Sequence, residues 1–154
     1  MFFLSREYSS GCYRHRQRSS YQPNRDVAMN DVILKFSREE YADRLDKIRA
    51  AMARQQIDTL IVHDPSNMAW LTGYDGWSFY TPQVVVVGPD GEPVWYGRRM
   101  DANGARRTVY MAEENITCYP DRYVMNPPLH AMEHLACHII KERGWHTGVV
   151  GIEM

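Results

Sequence analysis

The chain has 154 residues, of which 44% are hydrophobic and 24% charged, and its formal net charge is −1. These values are typical of a soluble globular protein, and the length suits a single domain. Because basic and acidic residues are interspersed, nucleic acid and anionic membranes are excluded as favoured partners, and no apolar run approaches the roughly 20 residues that span a bilayer. The three cysteines, odd in number and without a CxxC pair, favour a reducing, cytoplasmic location.

The first 35 residues differ from the rest in composition. Residues 1–28 carry arginines among scattered Ser, Tyr and Gln, without an apolar period. This composition predicts a disordered tail or an upstream extension ahead of a natural start at Met29. An organellar transit peptide is the weaker alternative, because the amphipathic pattern of such peptides is missing. We therefore expect the folded domain to occupy residues 36–154.

A capping box opens the first predicted helix. The Ser37 hydroxyl is expected to accept a hydrogen bond from a first-turn amide, while Glu40 reaches back to the Ser37 amide. Apolar residues then recur at helical spacing up to Met52, which predicts an amphipathic helix of about four turns. The run over Thr59–Val62 predicts a short buried strand.

The Asp64-Pro65 pair ends that strand and leads into the next elements. Ser66 or Asn67 is expected to cap a short helix, which Gly73 ends with a positive φ. The remaining predicted elements are a hairpin of strands over 83–87 and 93–96, a helix over 100–109, a strand over 115–119, a helix over 127–143 and a strand over 147–152. Strands that alternate with helices and include one hairpin predict an α/β fold, with a mixed β-sheet flanked by helices on both faces.

Three histidines, His130, His134 and His138, fall at i, i+4 and i+8 of the last predicted helix. This spacing places imidazoles along one helix face at a separation that suits a metal ion. When the sequence is projected on a helix, the three histidines lie opposite the apolar face of that helix, so we expect their side chains to point into water. A solvated polar face is therefore the favoured interpretation. A metal-binding domain is the weaker hypothesis, because a structural zinc site needs four ligands and the helix offers no obvious fourth.

No catalytic constellation is visible elsewhere in the sequence. Asp101, Glu113 and Glu114 have the chemistry for acid–base catalysis, but nothing in the sequence pairs them with a pocket. Cys118 lies in a predicted strand without a visible base, which favours a structural thiol over a nucleophile. The sequence thus predicts no catalytic residue, no metal ligand and no cofactor in this chain.

The segment over residues 64–80 concentrates aromatic and small polar side chains ahead of a buried strand. Trp70, Tyr74, Trp77, Phe79 and Tyr80 fall within it. A small sheet edge cannot hide so many rings, so we expect Trp70 and one other to fill the core. Trp77 or Phe79 is expected to line a ligand or subunit surface. The faces of such rings suit a small cationic or amidinium ligand.

This segment resembles the ectoine hydrolases, within the creatinase, prolidase and aminopeptidase P family. The resemblance covers about residues 36–154 and is carried by DPSNMAWLTGYDGWSFY at 64–80, PVWYG at 93–97, DANGA at 101–105, YPDRYV at 119–124 and GIEM at 151–154. The general family pattern of Asn, an aromatic residue and Leu-Thr-Gly ahead of an apolar strand is moderately specific. The extended GYDGWSFY match at 73–80 is much more specific.

The resemblance implies a fold of the creatinase/prolidase N-terminal domain type, which is ribonuclease H-like. It also implies a subunit of two domains, whose C-terminal pita-bread domain carries the catalytic residues. That domain is expected to be missing or separate here, so that this polypeptide is inactive alone. Enzymes of this kind open the ring of ectoine by C–N hydrolysis and release an acetylated diaminobutyrate. As homodimers, relatives such as creatinase place the N-terminal domain over the active site of the partner subunit.

Carried over residue by residue, the resemblance implies a substrate-pocket wall that acts in trans and comprises Trp77, Phe79, Tyr80 and Thr81. Phe79 matches the aromatic wall of the family, and Trp77 is its neighbour. Thr81 occupies the position where creatinase has an arginine, so a guanidinium contact to the substrate is not expected. The alternative to an enzyme domain is a free-standing binding or interaction domain, or a truncated remnant without an enzymatic role.

Overall fold

The computed structural model describes residues 32–78 and 80–153, so the predicted extension over 1–35 lies mostly outside the described residues. The helices are α1 (Arg38–Arg54), α2 (Pro65–Thr72), α3 (Ala102–Thr108) and α4 (Ala131–Leu135), and α4 continues as a π-helical turn over Ala136–Ile140. The strands are β1 (Thr59–Val62), β2 (Val84–Val87), β3 (Val94–Arg98), β4 (Ile116–Tyr119) and β5 (Val150–Ile152). None of the helices in this part of the chain combines the length and apolar character that a membrane crossing requires.

The five strands form one sheet in the order β4-β3-β2-β1-β5. The central strands β1, β2 and β3 pair antiparallel, whereas β5 joins β1 and β4 joins β3 in parallel. A parallel pairing needs a crossover connection, which α3 supplies between β3 and β4. The predicted mixed sheet with one hairpin is therefore confirmed.

The valines of β2 show why helices cover both faces of the sheet. Successive side chains of a strand point to opposite faces. Val85 and Val87 accordingly lie in one apolar core with residues of α1, α2 and α3, while Val84 and Val86 lie in a second core with residues of α4. All four valines are buried. The predicted placement of helices on both faces is therefore confirmed.

The start of α1 follows the capping prediction in part. Ser37 is the N-cap, and its Oγ accepts from the backbone N–H of Glu40 at 3.2 Å. The Glu40 carboxylate instead accepts from Arg44 Nε at 3.0 Å. The expected return of Glu40 to the Ser37 amide is therefore wrong, because the guanidinium one turn later is a charged donor and makes the stronger hydrogen bond.

The start of α2 differs from the prediction by two or three residues. Asp64 is the N-cap, and its Oδ1 accepts from the backbone N–H groups of Ser66 at 2.8 Å and Asn67 at 3.1 Å. Pro65 occupies the first turn, where its missing N–H costs nothing. The far end is as predicted, because Gly73 caps it with φ 85°. Glu153, which follows β5, closes this corner by accepting from the backbone N–H of Asp64 at 2.8 Å.

The last helix is shorter than the prediction of 127–143. Its α-helical part begins only at Ala131, after His130, whose Nδ1 accepts from the backbone N–H of Met132 at 3.2 Å. The expected start at the proline pair is wrong, because a turn closed by a Leu129 N–H to Asn126 carbonyl bond of 2.8 Å occupies that stretch. After Leu135 the helix widens into the π-helical turn.

One end of the sheet gathers several connections. The pairing directions bring the C-terminal ends of β1, β3, β4 and β5 to the same end as the start of β2. The connection from α2 to β2, residues 73–83, lies at this end and is called the aromatic loop below. Binding sites of α/β proteins are common beyond the carboxyl ends of strands, and four of the five strands of this sheet end here.

Candidate functional site

The aromatic loop presents two large rings at the surface. Trp77 is 61% exposed and Tyr80 is 69% exposed, although both are large side chains that a core readily accepts. Phe79, the predicted aromatic wall, lies outside the described residues. Thr81 is buried, and its hydroxyl lies 2.5 Å from Ser78 Oγ. The predicted wall residues thus divide into two exposed rings and one threonine that bonds within the loop.

The two aromatic residues that precede these rings differ in burial. Tyr74 is buried and contacts Trp95 with its ring centroid at 5.3 Å. Trp70 is 43% exposed, so the expectation that it fills the core is wrong. Its ring covers the buried guanidinium of Arg44, with 5.2 Å from Cζ to the ring centroid, and its carbonyl accepts from Arg44 Nη1 at 2.7 Å. Trp70 therefore shields a charged group of α1 and lies apart from the aromatic loop.

A chain of polar groups, of which Tyr74 and Gln83 are buried and Asp101 is half-buried, connects the two ends of the aromatic loop. The Tyr74 hydroxyl donates to Gln83 Oε1 at 3.0 Å, and Gln83 Nε2 donates to Asp101 Oδ2 at 2.8 Å. Burial, followed by the nearby Asp101 carboxylate, raises the pKa of Tyr74 to about 12 and outweighs the opposing Gln83 hydrogen bond, so the phenol keeps its proton at neutral pH. We call this chain the loop-base relay. Nothing in the sequence distinguishes Gln83, and Asp101 stands out there only as a carboxylate without a pocket.

The surroundings of the aromatic loop add apolar surface and charge. Met100, directly after β3, is 64% exposed, and Met125, after β4, is 85% exposed. Both follow strands that end at the same end of the sheet as the aromatic loop. Arg98 Nε lies 3.6 Å from Asp121 Oδ1 in an ion pair that joins the ends of β3 and β4. This end of the sheet thus carries exposed rings, exposed thioethers and a paired arginine.

The histidine row is not a uniformly solvated face. His134 Nδ1 lies 2.9 Å from the Tyr96 hydroxyl, and its ring meets that of Tyr123 edge-on at 5.0 Å between centroids. The expectation that it points into water is therefore wrong. His138 pairs with Glu142 at 3.4 Å, and His130 caps α4. Over residues 32–78 and 80–153, no three His, Cys, Asp or Glu side chains are grouped closely enough to hold a metal ion.

The remaining candidates for chemistry have structural contacts. Glu113 accepts from Arg106 Nε at 2.7 Å at the surface. Burial raises the pKa of the Cys118 thiol, despite Arg106 and Arg99 nearby, so the reactive thiolate is disfavoured. The Asp101 carboxylate accepts a hydrogen bond from Gln83 in the loop-base relay. The arrangement is therefore suited to holding a ligand against aromatic faces and supplies no nucleophile with a partner base in the described part of the chain.

Comparison with known proteins gives a family and a set of relatives. Residues 44–154 match the model of the creatinase/prolidase N-terminal domain family. The chain is 64% identical over 126 residues to the ectoine hydrolase of Halomonas elongata, covering 82% of this chain and 32% of that protein. It is 42% identical over 123 residues to an uncharacterised hydrolase/peptidase of Sinorhizobium fredii, covering 79% of this chain and 31% of that protein. The chain thus spans about a third of the length of the curated relatives it matches.

Solved structures share the fold at low sequence identity. A proline dipeptidase of Streptococcus agalactiae superposes with a TM-score of 0.52 and 16% identity, covering 73% of this chain and 94% of that one. A creatinase N-terminal superfamily domain of a Streptococcus thermophilus dipeptidase superposes with a TM-score of 0.51 and 17% identity. The match covers 71% of this chain and 90% of that one. These likenesses support the fold, and the predicted creatinase/prolidase N-terminal domain type is confirmed.

Proposed function

Because the chain belongs to the creatinase/prolidase N-terminal domain family, we propose that it serves as the N-terminal, non-catalytic domain of an ectoine hydrolase. The observation that carries the proposal is the 64% identity to the Halomonas elongata ectoine hydrolase over 82% of this chain. The proposed role is to shape the substrate pocket, while another domain performs the hydrolysis.

The exposed rings of the aromatic loop suit the proposed substrate. Ectoine carries a delocalised amidinium cation in a small ring, and such a cation is attracted to the faces of tryptophan and tyrosine. Trp77 and Tyr80 are both exposed at the surface, and Thr81 adds a hydroxyl bonded within the loop. We propose that Trp77, Phe79 and Tyr80 form the wall, and that Thr81 helps to hold it. The contact acts across a homodimer, on the active site of the partner subunit.

The hydrolytic step is assigned to a separate domain. Opening an amidine ring needs an activated water or carboxylate nucleophile and an acid for the leaving nitrogen. The described residues of this chain do not bring such a set together at the aromatic loop. We therefore propose that the pita-bread catalytic domain of the full enzyme supplies both groups, that the 154-residue chain alone does not hydrolyse ectoine, and that the enzyme works in the cytoplasm.

A chimera tests this proposal directly. Residues 36–154 replace the matching segment of the Halomonas elongata ectoine hydrolase, and ring opening is measured by chromatography. The chimera is expected to hydrolyse ectoine, whereas the chain alone is expected to show no turnover. Substituting Trp77→Ala in the chimera removes a cation–π contact worth about 0.7–2 kcal/mol and is expected to raise KM about threefold to thirtyfold.

Trp70 provides a matched control of the same residue type. Trp70→Phe leaves an aromatic cover over Arg44 and lies outside the aromatic loop, so KM is expected to stay within a factor of two of the parent value (about 0.4 kcal/mol). A soluble, folded chimera without activity would contradict the proposal and favour a free-standing binding domain. An active chimera in which Trp77→Ala leaves KM unchanged would remove Trp77 from the pocket wall while preserving the domain assignment.

A further inference from the structure

We propose that Gln83 is a positioning residue, which holds the exposed rings of the aromatic loop in place through the loop-base relay from Tyr74 to Asp101. The residue lies outside the proposed wall and is buried, so we infer that it acts through the loop and makes no contact with a substrate. The functional part of this inference rests on the proposed function, whereas the structural part concerns this chain alone.

The position of the relay in the loop carries the argument. Tyr74 and Gln83, near the two ends of the aromatic loop, are both buried, and their side chains are joined at 3.0 Å. The bond therefore closes the base of the loop, with Trp77 and Tyr80 between its two ends. Closing a flexible loop lowers the number of conformations open to the residues within it. A second bond inside the loop, from the Thr81 N–H to Ser78 Oγ at 3.1 Å, shortens the free stretch further.

The polarity of the relay explains why a glutamine occupies position 83. Tyr74 donates a proton and Asp101 can only accept one, so the residue between them must accept on one side and donate on the other. A primary amide does both, and the 2.8 Å bond from Gln83 Nε2 to Asp101 is charge-assisted. A leucine of similar size leaves a buried phenol and a carboxylate without their partners. A glutamate accepts from Tyr74 but confronts Asp101 with a second negative charge.

The relay also ties the loop to the neighbouring strand. Asp101 follows β3, which pairs antiparallel with β2, and the loop leads directly into β2. A change at Asp101, 18 residues along the chain from Gln83, is therefore expected to alter the rings of the aromatic loop. This long-range effect distinguishes positioning by the relay from a simple contribution to packing.

The test observes Trp77 in the full 154-residue chain. The four tryptophans are labelled with 5-fluorotryptophan, and the signal of Trp77 in the ¹⁹F NMR spectrum is assigned by its loss in Trp77→Phe. Gln83→Leu is expected to broaden and shift the Trp77 signal, and Tyr74→Phe, which removes only a hydroxyl, is expected to do so to a smaller extent. Gln83→Glu is expected to disturb it as well. The double variant Gln83→Glu with Asp101→Asn restores a donor opposite the new acceptor and is expected to return the signal to its original position.

A structural control separates positioning from loss of stability. Asp58 accepts from the backbone N–H of Val149 at 2.7 Å at the opposite end of the sheet, so Asp58→Ala lowers the melting temperature without touching the loop. The ¹⁹F signal of Trp77 is expected to stay unchanged in Asp58→Ala. The inference is overturned if Gln83→Leu and Tyr74→Phe behave like Asp58→Ala, that is, if they lower the melting temperature and leave the Trp77 signal unchanged. It is also overturned if the double variant does not restore the Trp77 signal.

Kinetic measurements on the chimera test the functional part of the inference. Each side chain that must be ordered on binding costs about 0.5–1.5 kcal/mol, so Gln83→Leu is expected to raise KM about twofold to twelvefold with kcat less affected. The double variant is expected to restore KM. An altered Trp77 signal with unchanged KM in Gln83→Leu would overturn the positioning role. An unchanged KM in Trp77→Ala would instead count against the proposed pocket wall. The fluorine spectra would still decide whether the loop-base relay positions the ring of Trp77.

Discussion

At the scale of single residues, His134 is the side chain whose surroundings differ most from an ordinary surface histidine. It lies against Tyr96 and Tyr123, with the Tyr96 hydroxyl 2.9 Å from Nδ1. Burial first, and then the positive charges of His138 and Arg122, lower the pKa of His134 to about 4 from an ordinary value of 6.5. The folded domain therefore holds this imidazole in its neutral form at physiological pH.

The stability of the domain is expected to fall on mild acidification because of this residue. In the unfolded chain His134 binds a proton below about pH 6.5, whereas in the folded state it does so only near pH 4. The neutral form thus favours folding above pH 6.5, and that contribution is lost as the pH falls towards 4. Partial exposure reduces the effect to the order of 2 kcal/mol. Urea unfolding at pH 7.5 and at pH 5 measures it.

His134→Gln keeps a polar side chain and removes the ionisation. The variant is expected to be less stable than the parent at pH 7.5, with a smaller loss between pH 7.5 and pH 5. His146→Gln, at an exposed position, serves as the control and should keep the pH dependence of the parent. Equal pH dependence in the parent and in His134→Gln would show that the imidazole is not responsible.

At the scale of elements, two glycines illustrate opposite uses of the same residue. Gly73 ends α2 with φ 85°, and a Cβ there would lie 2.6 Å from the Thr108 carbonyl oxygen and 2.8 Å from the Tyr41 hydroxyl. Gly104 lies inside α3, where a Cβ would meet nothing within 4 Å. The first glycine is required by conformation and space, whereas the second only weakens its helix.

Alanine substitutions are expected to change stability in opposite directions. Gly73→Ala combines a left-handed conformation with a clash against backbone and is expected to lower the free energy of unfolding by about 2–4 kcal/mol. Gly104→Ala is expected to raise it by about 0.5–1 kcal/mol, because alanine favours the helix. Guanidinium unfolding curves followed by circular dichroism measure both. A neutral Gly73→Ala would mean that the end of α2 relaxes without cost.

Elements with strong local signals were predictable from the sequence, and those that depend on tertiary contacts were not. The strand Thr59–Val62 and the Ser37 cap follow from local pattern, and both are confirmed. The start of α4 depends on a histidine that caps its own helix, which a proline pair nearby obscured. The widening over Ala136–Ile140 has no pattern that distinguishes it from an α-helix. Periodicity reports which residues face the core, but not how tightly a helix is wound.

The candidate site shows the same division. Its aromatic loop was recognisable because rings and glycines are concentrated in it. Trp77 is exposed there, and its role at a ligand or subunit surface stays a prediction. The link from Gln83 to Asp101 was not recognisable, because it exists only once β2 and β3 have paired. The exposure of Trp70 was missed for a related reason, since its partner Arg44 comes from another helix.

At the scale of the whole molecule, a single sheet separates two apolar cores that share its strands. Leu71 of α2 lies in one core and Leu135 of α4 in the other, and both are fully buried. Because neighbouring residues of β2 serve both cores, loss of packing on either face weakens the same hydrogen-bonded strands. We expect residues 32–153 to unfold as one cooperative unit.

Matched truncations on the two faces test this expectation. Leu71→Ala and Leu135→Ala are each expected to lower the free energy of unfolding by about 2–5 kcal/mol. In both variants, tryptophan fluorescence and circular dichroism should report the same midpoint. Separate midpoints for the two probes in either variant would show that the faces unfold independently.

The pairing of β5 with β1 has a consequence for the order in which the protein is made. Thr59 pairs beside Val150, so the outer side of β1 has no neighbour until 91 further residues have been translated. At ribosomal rates of about 5–20 residues per second, that interval is roughly 5–20 s. During it, the apolar run over Thr59–Val62 presents an open strand edge to other nascent chains. The acidic residues Asp58 and Asp64 flank this run, and their charges oppose such mispairing while the ribosome completes the sheet.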